Sequence, residues 1–322
     1  MMKFTLSPEP EDFDETVRIP GQQWLDNYPN EKPSSKPGHG KSEGGFWREP
    51  NCIEKLAEAF DNLCAYSVKY IPETGGTEDH FLSQHNYRSI TYEWSNYRYA
   101  SAKINTRKSE YDDKILDPFD VEDDWFEILL PSCILHITEF IPESYQEKAK
   151  FTVKQLQLNN DSYLKERRKI YKQYRNKDKA KQIPISELEE KYPLIARAII
   201  KKSQQYFNQG IKCYHNQDYQ KAIEKFTKAI EFYIENIDAY FQRAICYYYL
   251  GEYNQAIEDY TKVIENQNNN ITTYNNRGVC YFYNNQEQEA IKDFQTTIKF
   301  KQNNYLFYAN LSICLEKMGY IQ

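Results

Sequence analysis

A pattern that recurs about every 34 residues in the C-terminal part of the chain constrains the fold most strongly. Three kinds of position keep this period: an aromatic position, a small position, and an alanine position in the following helix. Their members are Tyr206, Tyr240, Tyr274 and Tyr308; Gly210, Ala244, Gly278 and Ser312; and Ala222, Ala256 and Ala290. One helical pair cannot bury its apolar face alone, so units of this length stack into a solenoid. The period therefore predicts an all-α repeat domain over residues 193–322.

This pattern resembles the tetratricopeptide repeat (TPR). The resemblance gives repeats near residues 203–236, 237–270 and 271–304, with a partial repeat at 305–322. It implies an all-α TPR solenoid that binds a protein partner or self-associates, and it implies recognition and not catalysis. An aromatic-rich surface is predicted for five tyrosines, with core packing as the alternative: Tyr247, Tyr248, Tyr249, Tyr281 and Tyr283.

Net charge divides the residues that precede the repeats into an acidic segment and a basic segment. Residues 1–145 hold 14 Lys and Arg against 27 Asp and Glu, a net charge of −13. Residues 146–192 hold 13 against 7, a net charge of +6. Pro, Gly and charged residues are frequent at the start, so a flexible arm is predicted over residues 1–46. A folded domain over 47–145 and a basic helical connector over 146–192 complete this division.

Basic residues and tyrosines alternate in residues 165–181 of the connector. Neither Gly nor Pro interrupts the run, which predicts a helix with a strongly basic surface. Such a surface can neutralise phosphates while tyrosine rings stack on bases. Contacts with nucleic acid are therefore predicted for the following residues, with a solvated linker helix as the alternative: Arg167, Arg168, Lys169 and Lys172.

The seven cysteines predict buried apolar side chains and not a disulfide framework. No Cys-x-x-Cys pair occurs, and Cys246, Cys280 and Cys314 simply follow the period of the repeats. A reducing cytosol fits this use of cysteine. No run approaches the roughly 18 apolar residues of a membrane span. The sequence therefore predicts a cytoplasmic protein without a membrane partner.

The residues that most suggest chemistry are the pair Asp79-His80 and the carboxamides Asn96 and Asn105. Hydrophobic periodicity and turn residues predict the elements around them. These are a helix over 52–63, a strand over 64–71, a turn at Gly75-Gly76, a strand over 77–82 and a helix over 97–107. The predicted order is therefore strand, turn, strand and helix.

Three short motifs resemble the HNH (ββα-metal) endonuclease family of bacterial anti-phage defence. They are Asp79-His80-Phe81, Trp94-Ser95-Asn96-Tyr97-Arg98, and Asn105-Thr106-Arg107-Lys108. The resemblance implies an α+β domain that hydrolyses phosphodiester bonds with a bound cation. DNA is the favoured substrate and RNA, including tRNA, the alternative. It also implies a defence ATPase or sensor as partner of the repeats.

The same resemblance implies a role for each motif residue. His80 is the general base, because a neutral imidazole suits that task near pH 7, and Asn96 orients it. Asp79 and Asn105 supply oxygen ligands to Mg²⁺ or Mn²⁺. Structural zinc is unlikely, because Ser67 stands where a Cys-x-x-Cys pair with Cys64 would end. Contacts with nucleic acid are implied for three cations: Arg98, Arg107 and Lys108.

Two alternatives accompany this prediction. The chain could be a TPR scaffold whose HNH domain is inactive or only grips nucleic acid. His85 could replace His80 as the base, although no motif supports it. His136 lies in the apolar run Cys133-Ile134-Leu135-His136-Ile137 and is predicted to be a hydrogen-bonded core histidine.

Overall fold

The computed structural model describes residues 1–33, 44–48, 50–72, 75–109, 111–176, 178–266, 271–300 and 305–320. The chain divides into two compact units, Met1–Ala198 and Ile199–Gln322. In the described part, no helix has both the length and the apolar character needed to cross a membrane.

The first unit is α+β and contains two small antiparallel sheets. One sheet joins β1 to β2, and the other joins β3 to β4. Its elements are a π-helical turn Asp14–Arg18, α1 (Ile19–Asn27), α2 (Pro50–Ala59), β1 (Gly76–His80), β2 (Tyr97–Ser101), α3 (Ala102–Lys108), β3 (Phe126–Leu129), β4 (Ile134–Ile137), α4 (Glu143–Gln155), α5 (Asp161–Tyr174), α6 (Ile185–Lys191) and the start of α7 (Pro193–His215).

The first sheet leads directly into helix α3. Asp79 lies opposite Arg98 and His80 opposite Tyr97 in the antiparallel register. Ser101 ends β2 and caps α3, since its side chain accepts a hydrogen bond from the backbone N–H of Ile104. The chain therefore has two strands followed by a helix, but β2 lies where the sequence predicts the start of the helix. This order alone does not establish an HNH domain.

Two predicted elements are wrong. Residues 64–71 form a tight turn, in which the N–H of Cys64 donates to the carbonyl of Lys69, and Val68 has φ +54°. Only one isolated bridge, between Leu63 and Tyr70, has strand-like pairing there. Residues 97–101 are strand and not helix, because the buried rings of Tyr97 and Tyr99 pack in the core.

The segment 1–33 is packed and does not form the predicted flexible arm. Phe4, Phe13 and Trp24 are all buried. The ring of Phe4 lies 4.9 Å from that of Phe60, between ring centroids, and Phe13 lies edge-on to Trp94 at 5.5 Å. These aromatic contacts hold the segment on the unit. The remaining arm residues 34–43 lie outside the described part of the chain.

The predicted connector consists of three helices, α4, α5 and α6, and belongs to the first unit. Helix α5 buries one face through Arg167, Ile170, Tyr171 and Tyr174. This i, i+3, i+4, i+7 spacing is that of an amphipathic helix whose inner stripe includes one cation. The connector is therefore not a wholly solvated linker.

The second unit is all-α, as the period predicts. Its helices pair within the predicted repeats: α7 with α8 (Tyr219–Phe232), α9 (Ile237–Tyr249) with α10 (Tyr253–Asn266), and α11 (Ile271–Tyr283) with α12 (Glu287–Phe300), followed by α13 (Tyr305–Lys317). The small positions allow the helices to approach closely. A Cβ atom on Gly278 would lie 2.7 Å from the ring of Phe294, so glycine is needed there.

The periodic cysteines are buried, as predicted. Cys246, Cys280 and Cys314 are each 0% exposed. Burial raises the pKa of Cys246 and of Cys280 to about 12, and it also raises the pKa of Cys314. These thiols are therefore protonated at neutral pH.

Candidate functional site

Asp79 lies at the end of β1 with both carboxylate oxygens engaged. The residue is 2% exposed. The Tyr66 hydroxyl donates to Oδ2 at 2.6 Å, and the Lys108 Nζ lies 3.2 Å from Oδ1. Burial raises the pKa of Asp79, while Lys108 and the Tyr66 hydrogen bond oppose the rise. Burial likewise raises the pKa of Tyr66 far above its ordinary value. The carboxylate is thus the centre of a buried polar cluster.

Lys108 is the cation of this cluster. Its side chain is 1% exposed, and its Nζ also donates to the carbonyl oxygen of His80 at 2.7 Å. A lysine so fully enclosed cannot reach a phosphate from the protein surface. The structure therefore corrects the prediction that Lys108 contacts nucleic acid.

The two asparagines hold backbone segments in place. Asn105 Nδ2 donates to the carbonyl of Glu78 at 3.0 Å and to Thr77 Oγ1 at 3.3 Å, which fixes α3 against β1. The N–H of Leu82 donates to Asn96 Oδ1 at 2.8 Å, and Asn96 Nδ2 donates back to the carbonyl of Leu82 at 3.0 Å. Asn96 thus holds the loop between β1 and β2, while its link to catalysis stays a prediction.

His80 is partly buried between aromatic rings. Its ring lies edge-on to Trp47 at 4.7 Å and to Tyr97 at 5.0 Å. Nε2 lies 3.0 Å from the carbonyl oxygen of Thr91. A carbonyl can only accept, so Nε2 carries the hydrogen in this contact. In this tautomer Nδ1 is the nitrogen that can accept a proton, so the general-base role of His80 stays a prediction.

The Asp79 carboxylate, one of the two predicted metal ligands, is not open to a Mg²⁺ or Mn²⁺ ion. It already receives an ammonium and a phenol hydroxyl. The contact of Asn105 with Glu78 of β1 uses its amide nitrogen and not the oxygen that would bind a metal. Lys108 supplies the positive charge that a bound cation would bring. Within the described ranges, no three His, Cys, Asp or Glu side chains group as a metal site.

Other predicted residues also have inward or structural contacts. Arg98 is 2% exposed and forms a bidentate pair with Asp117, at 2.9 and 2.7 Å, under the ring of Phe119. A contact of Arg98 with nucleic acid is therefore excluded in this conformation. Arg107 Nη1 donates to the carbonyl of Leu156 at 2.8 Å and ties α3 to the end of α4.

His85 and His136, the two other histidines of this unit within the described residues, differ from each other. His85 Nε2 lies 3.4 Å from the Nζ of exposed Lys32, and its role as a base stays a prediction. His136 is exposed, with Nδ1 3.6 Å from a carboxylate oxygen of Glu127. The core position predicted for His136 is wrong, because Leu135 is the residue of that strand that turns inward.

The cations of α5 divide between two sides of the helix. Lys169 and Lys172 line an open surface hollow of about 460 Å³ together with Arg168. Arg168 also donates from Nε to the carbonyl of Ser132 at 3.1 Å. Arg167 instead turns inward and is 8% exposed. Arg168, Lys169 and Lys172 remain candidates for binding a polyanion, whereas the buried Arg167 is no longer one.

The second unit carries a continuous series of tyrosines along the ends of its helix pairs. Tyr219 stacks on Tyr249 at 4.8 Å, and Tyr253 stacks on Tyr283 at 5.5 Å, one repeat later. Tyr248 joins the two pairs, 5.6 Å from Tyr249 and 6.1 Å from Tyr283. In the next repeat an ion pair takes this place, with Lys317 Nζ 2.7 Å from Glu287 Oε1. The tyrosine ladder consists of Tyr214, Tyr219, Tyr248, Tyr249, Tyr253 and Tyr283.

Two tyrosines of the predicted aromatic surface pack against arginine side chains instead. Tyr247 and Tyr281 flank the guanidinium groups of Arg243 and Arg277. Arg243 bridges helices, because it pairs with Asp259 at 2.7 Å and donates to Thr227 Oγ1 of the preceding repeat at 3.0 Å. Arg277 repeats this arrangement with Asp293 and Thr261. Arg243 and Arg277, called the arginine struts below, therefore connect consecutive repeats.

The comparison with protein families identifies one repeat of the second unit. Residues 237–270 match the model of the tetratricopeptide repeat family, and this range is that of the second predicted repeat. These residues are a tetratricopeptide repeat. The family match lies entirely among the TPR repeats and concerns no residue of the first unit.

Solved structures similar to the chain include TPR domains. The first TPR domain of Spaghetti (RPAP3), bound to the HSP90 peptide SRMEEVD, has 22% identity over 37% of this chain and 95% of its own, with a TM-score of 0.36. The second TPR domain of human RPAP3, in complex with an HSP70 peptide, has 22% identity over 37% of this chain and 96% of its own, with a TM-score of 0.34. MamA from Desulfovibrio magneticus RS-1 has 16% identity over 48% of this chain and 85% of its own, with a TM-score of 0.37. No curated protein matches the chain.

Proposed function

We propose that the chain is a TPR scaffold whose second unit binds a segment of a protein partner. The observation that carries this proposal is the repeat array itself, with its family match at residues 237–270. Stacked repeats create an extended surface, and such surfaces serve recognition. This function corresponds to the scaffold alternative stated above.

The tyrosine ladder is the part of the array best suited to hold the partner. Tyr249 and Tyr283 are 53% and 52% exposed while each stays stacked on a neighbouring ring. Stacking fixes their side chains before any partner arrives, so little conformational entropy remains to be lost on binding. Each ring offers an apolar face and each hydroxyl a hydrogen bond, a combination that is enriched at protein interfaces.

The variant Tyr249→Ser/Tyr283→Ser tests this assignment. Proximity labelling in the source cells identifies the partner, and calorimetry with the purified partner then gives Kd. We expect the double variant to raise Kd at least tenfold, because two interface tyrosines each contribute on the order of 1 kcal/mol or more.

The matched control is Tyr305→Ser/Tyr320→Ser, which removes two tyrosines that are 84% and 68% exposed and lie outside the ladder. It should leave Kd unchanged. Equal losses in both variants, or unchanged binding in the ladder variant, would exclude the ladder as the docking surface.

Hydrolysis of nucleic acid by the first unit stays a prediction, as do its DNA preference, its defence role and an ATPase partner. We infer instead that this unit is not a metal-dependent nuclease. The closed Asp79–Lys108 contact supports this inference. Binding of a polyanion by Arg168, Lys169 and Lys172 is compatible with it.

Cleavage assays distinguish the two functions of the first unit. The full chain is incubated with plasmid DNA and with RNA in Mg²⁺, in Mn²⁺ and in EDTA, beside His80→Ala and the control His85→Ala. We expect no product that depends on metal and on His80. Metal-dependent cleavage that His80→Ala abolishes and His85→Ala retains would restore the nuclease prediction and show that the Asp79–Lys108 pair opens.

A further inference from the structure

Arg167 of α5 is a buried cation that lacks a carboxylate partner. It is 8% exposed, and its Nη1 donates to Asn159 Oδ1 at 3.2 Å. Its Nη2 is enclosed and has no hydrogen-bond partner among the described residues. The nearest acid along the helix, Glu166, pairs with Lys69, whose Nζ lies 2.9 Å from its Oε1.

An enclosed guanidinium without an anion is unfavourable. Removing a charge from water costs several kcal/mol unless an opposite charge or full hydrogen bonding offsets the loss. Burial accordingly lowers the pKa of Arg167. Asn159 satisfies one part of the group, and nothing in the described part of the chain satisfies Nη2. The pair Lys69–Glu166 adds no net charge, so the guanidinium still lacks an anion in direct contact among the described residues.

A cavity provides room for such an anion. Its volume is about 30 Å³, and Ile128 and Ile195 form an apolar wall. Its polar lining consists of Arg167, Ser67, Tyr163 and the ion pair Lys69–Glu166. One water needs roughly 10–15 Å³ by this measure. The space thus suits a group of a few heavy atoms. The hydroxyls of Ser67 and Tyr163 are additional hydrogen-bonding groups at its wall.

We propose that this cavity binds one small anion, of the size of chloride or a carboxylate group, with Arg167 as the binding cation. The proposal is independent of partner binding by the repeats, since all of these residues belong to the first unit. It also gives Arg167 a different role from the contact with nucleic acid predicted for it.

Thermal unfolding of the full chain tests the proposal. Sodium chloride, acetate or phosphate is titrated into a buffer whose ionic strength is kept constant with gluconate, which is too large for the cavity. We expect a saturable rise in Tm with chloride or acetate, roughly 5 °C at about one hundred times Kd. A rise with phosphate alone would overturn the size argument, and no rise beyond that in gluconate would overturn the proposal.

Arg167→Met is the decisive variant, and Arg168→Met on the exposed side of the same helix is its matched control. Arg167→Met should lose the anion-dependent rise and have a higher Tm than the wild type in gluconate, because the unpaired buried charge is gone. Arg168→Met should keep the rise. An equal rise in wild type and Arg167→Met would place the anion elsewhere. If Arg167→Met does not fold, calorimetric titration of wild type and Arg167→Lys replaces it, and unchanged affinity in Arg167→Lys would contradict the proposal.

Discussion

Replacing Lys108 with methionine should destabilise the first unit by about 3–5 kcal/mol. Methionine fills a similar volume, so the loss comes mainly from leaving the Asp79 carboxylate buried without its ammonium partner. The hydrogen bond from Lys108 to the carbonyl of His80 is lost as well. Chemical denaturation monitored by tryptophan fluorescence gives the free energy of unfolding, since Trp24, Trp47, Trp94 and Trp125 all belong to this unit.

Two further variants separate charge from packing. Lys103→Met removes an exposed lysine from the same helix and should change stability by no more than about 0.5 kcal/mol. Adding Asp79→Asn to Lys108→Met should recover part of the loss, because no buried charge then remains unpaired. A loss in Lys108→Met no larger than that in Lys103→Met would show that the ion pair does not stabilise the unit.

The Lys108→Met loss should also depend on pH. Burial already raises the pKa of Asp79, and Lys108 opposes that rise, so its removal should raise the pKa further. An acid whose folded-state pKa lies above its unfolded value stabilises the fold most at low pH, and this contribution falls as pH rises through the folded-state pKa. The difference between wild type and variant should therefore shrink on acidification.

Replacing Arg243 with methionine should destabilise the second unit by about 3 kcal/mol. Asp259 would remain buried, with a side-chain exposure of 6%, and Thr227 would lose its link to the next repeat. Circular dichroism during denaturation of the variant chain, compared with wild type, measures the loss of the repeat helices.

Lys262→Met is the control for Arg243→Met. Lys262 pairs with Glu265, but both side chains are more than half exposed, so its removal should have little effect. Arg277→Met should resemble Arg243→Met, because its contacts with Asp293 and Thr261 repeat the first strut one period later. If Arg243→Met and Lys262→Met were equally stable, the struts would set geometry without contributing to stability.

The second unit can be predicted from its sequence because its contacts are local and repeated. Two of the small residues face an aromatic ring in the following helix, Gly210 facing Phe226 and Gly278 facing Phe294. One period therefore determines both the helices and their packing. The arginine struts are absent from the sequence prediction, although Arg243 and Arg277 and their aspartates also keep the period of the repeats.

The first unit is harder to predict because its contacts join distant residues. Residue types at Asp79 and Asn105 suggest metal ligands, but residue type does not reveal that Lys108 and Tyr66 meet the same carboxylate. The turn at Val68 has a strand-like composition, which explains the wrong strand prediction. One signal is available: Arg167 occupies the apolar stripe of α5 with Ile170, Tyr171 and Tyr174, and that spacing indicates burial.

The buried cysteines Cys246, Cys280 and Cys314 make the second, third and partial repeats individually observable. Thiolates are the species that alkylating reagents attack, and Cys246, Cys280 and Cys314 are both enclosed and protonated in the folded array. Modification can then occur only after the helix that carries the thiol has opened. With one such thiol in each of α9, α11 and α13, the natural chain carries its own set of reporters. Peptide mapping of the alkylated sites would reveal which end of the array frays first.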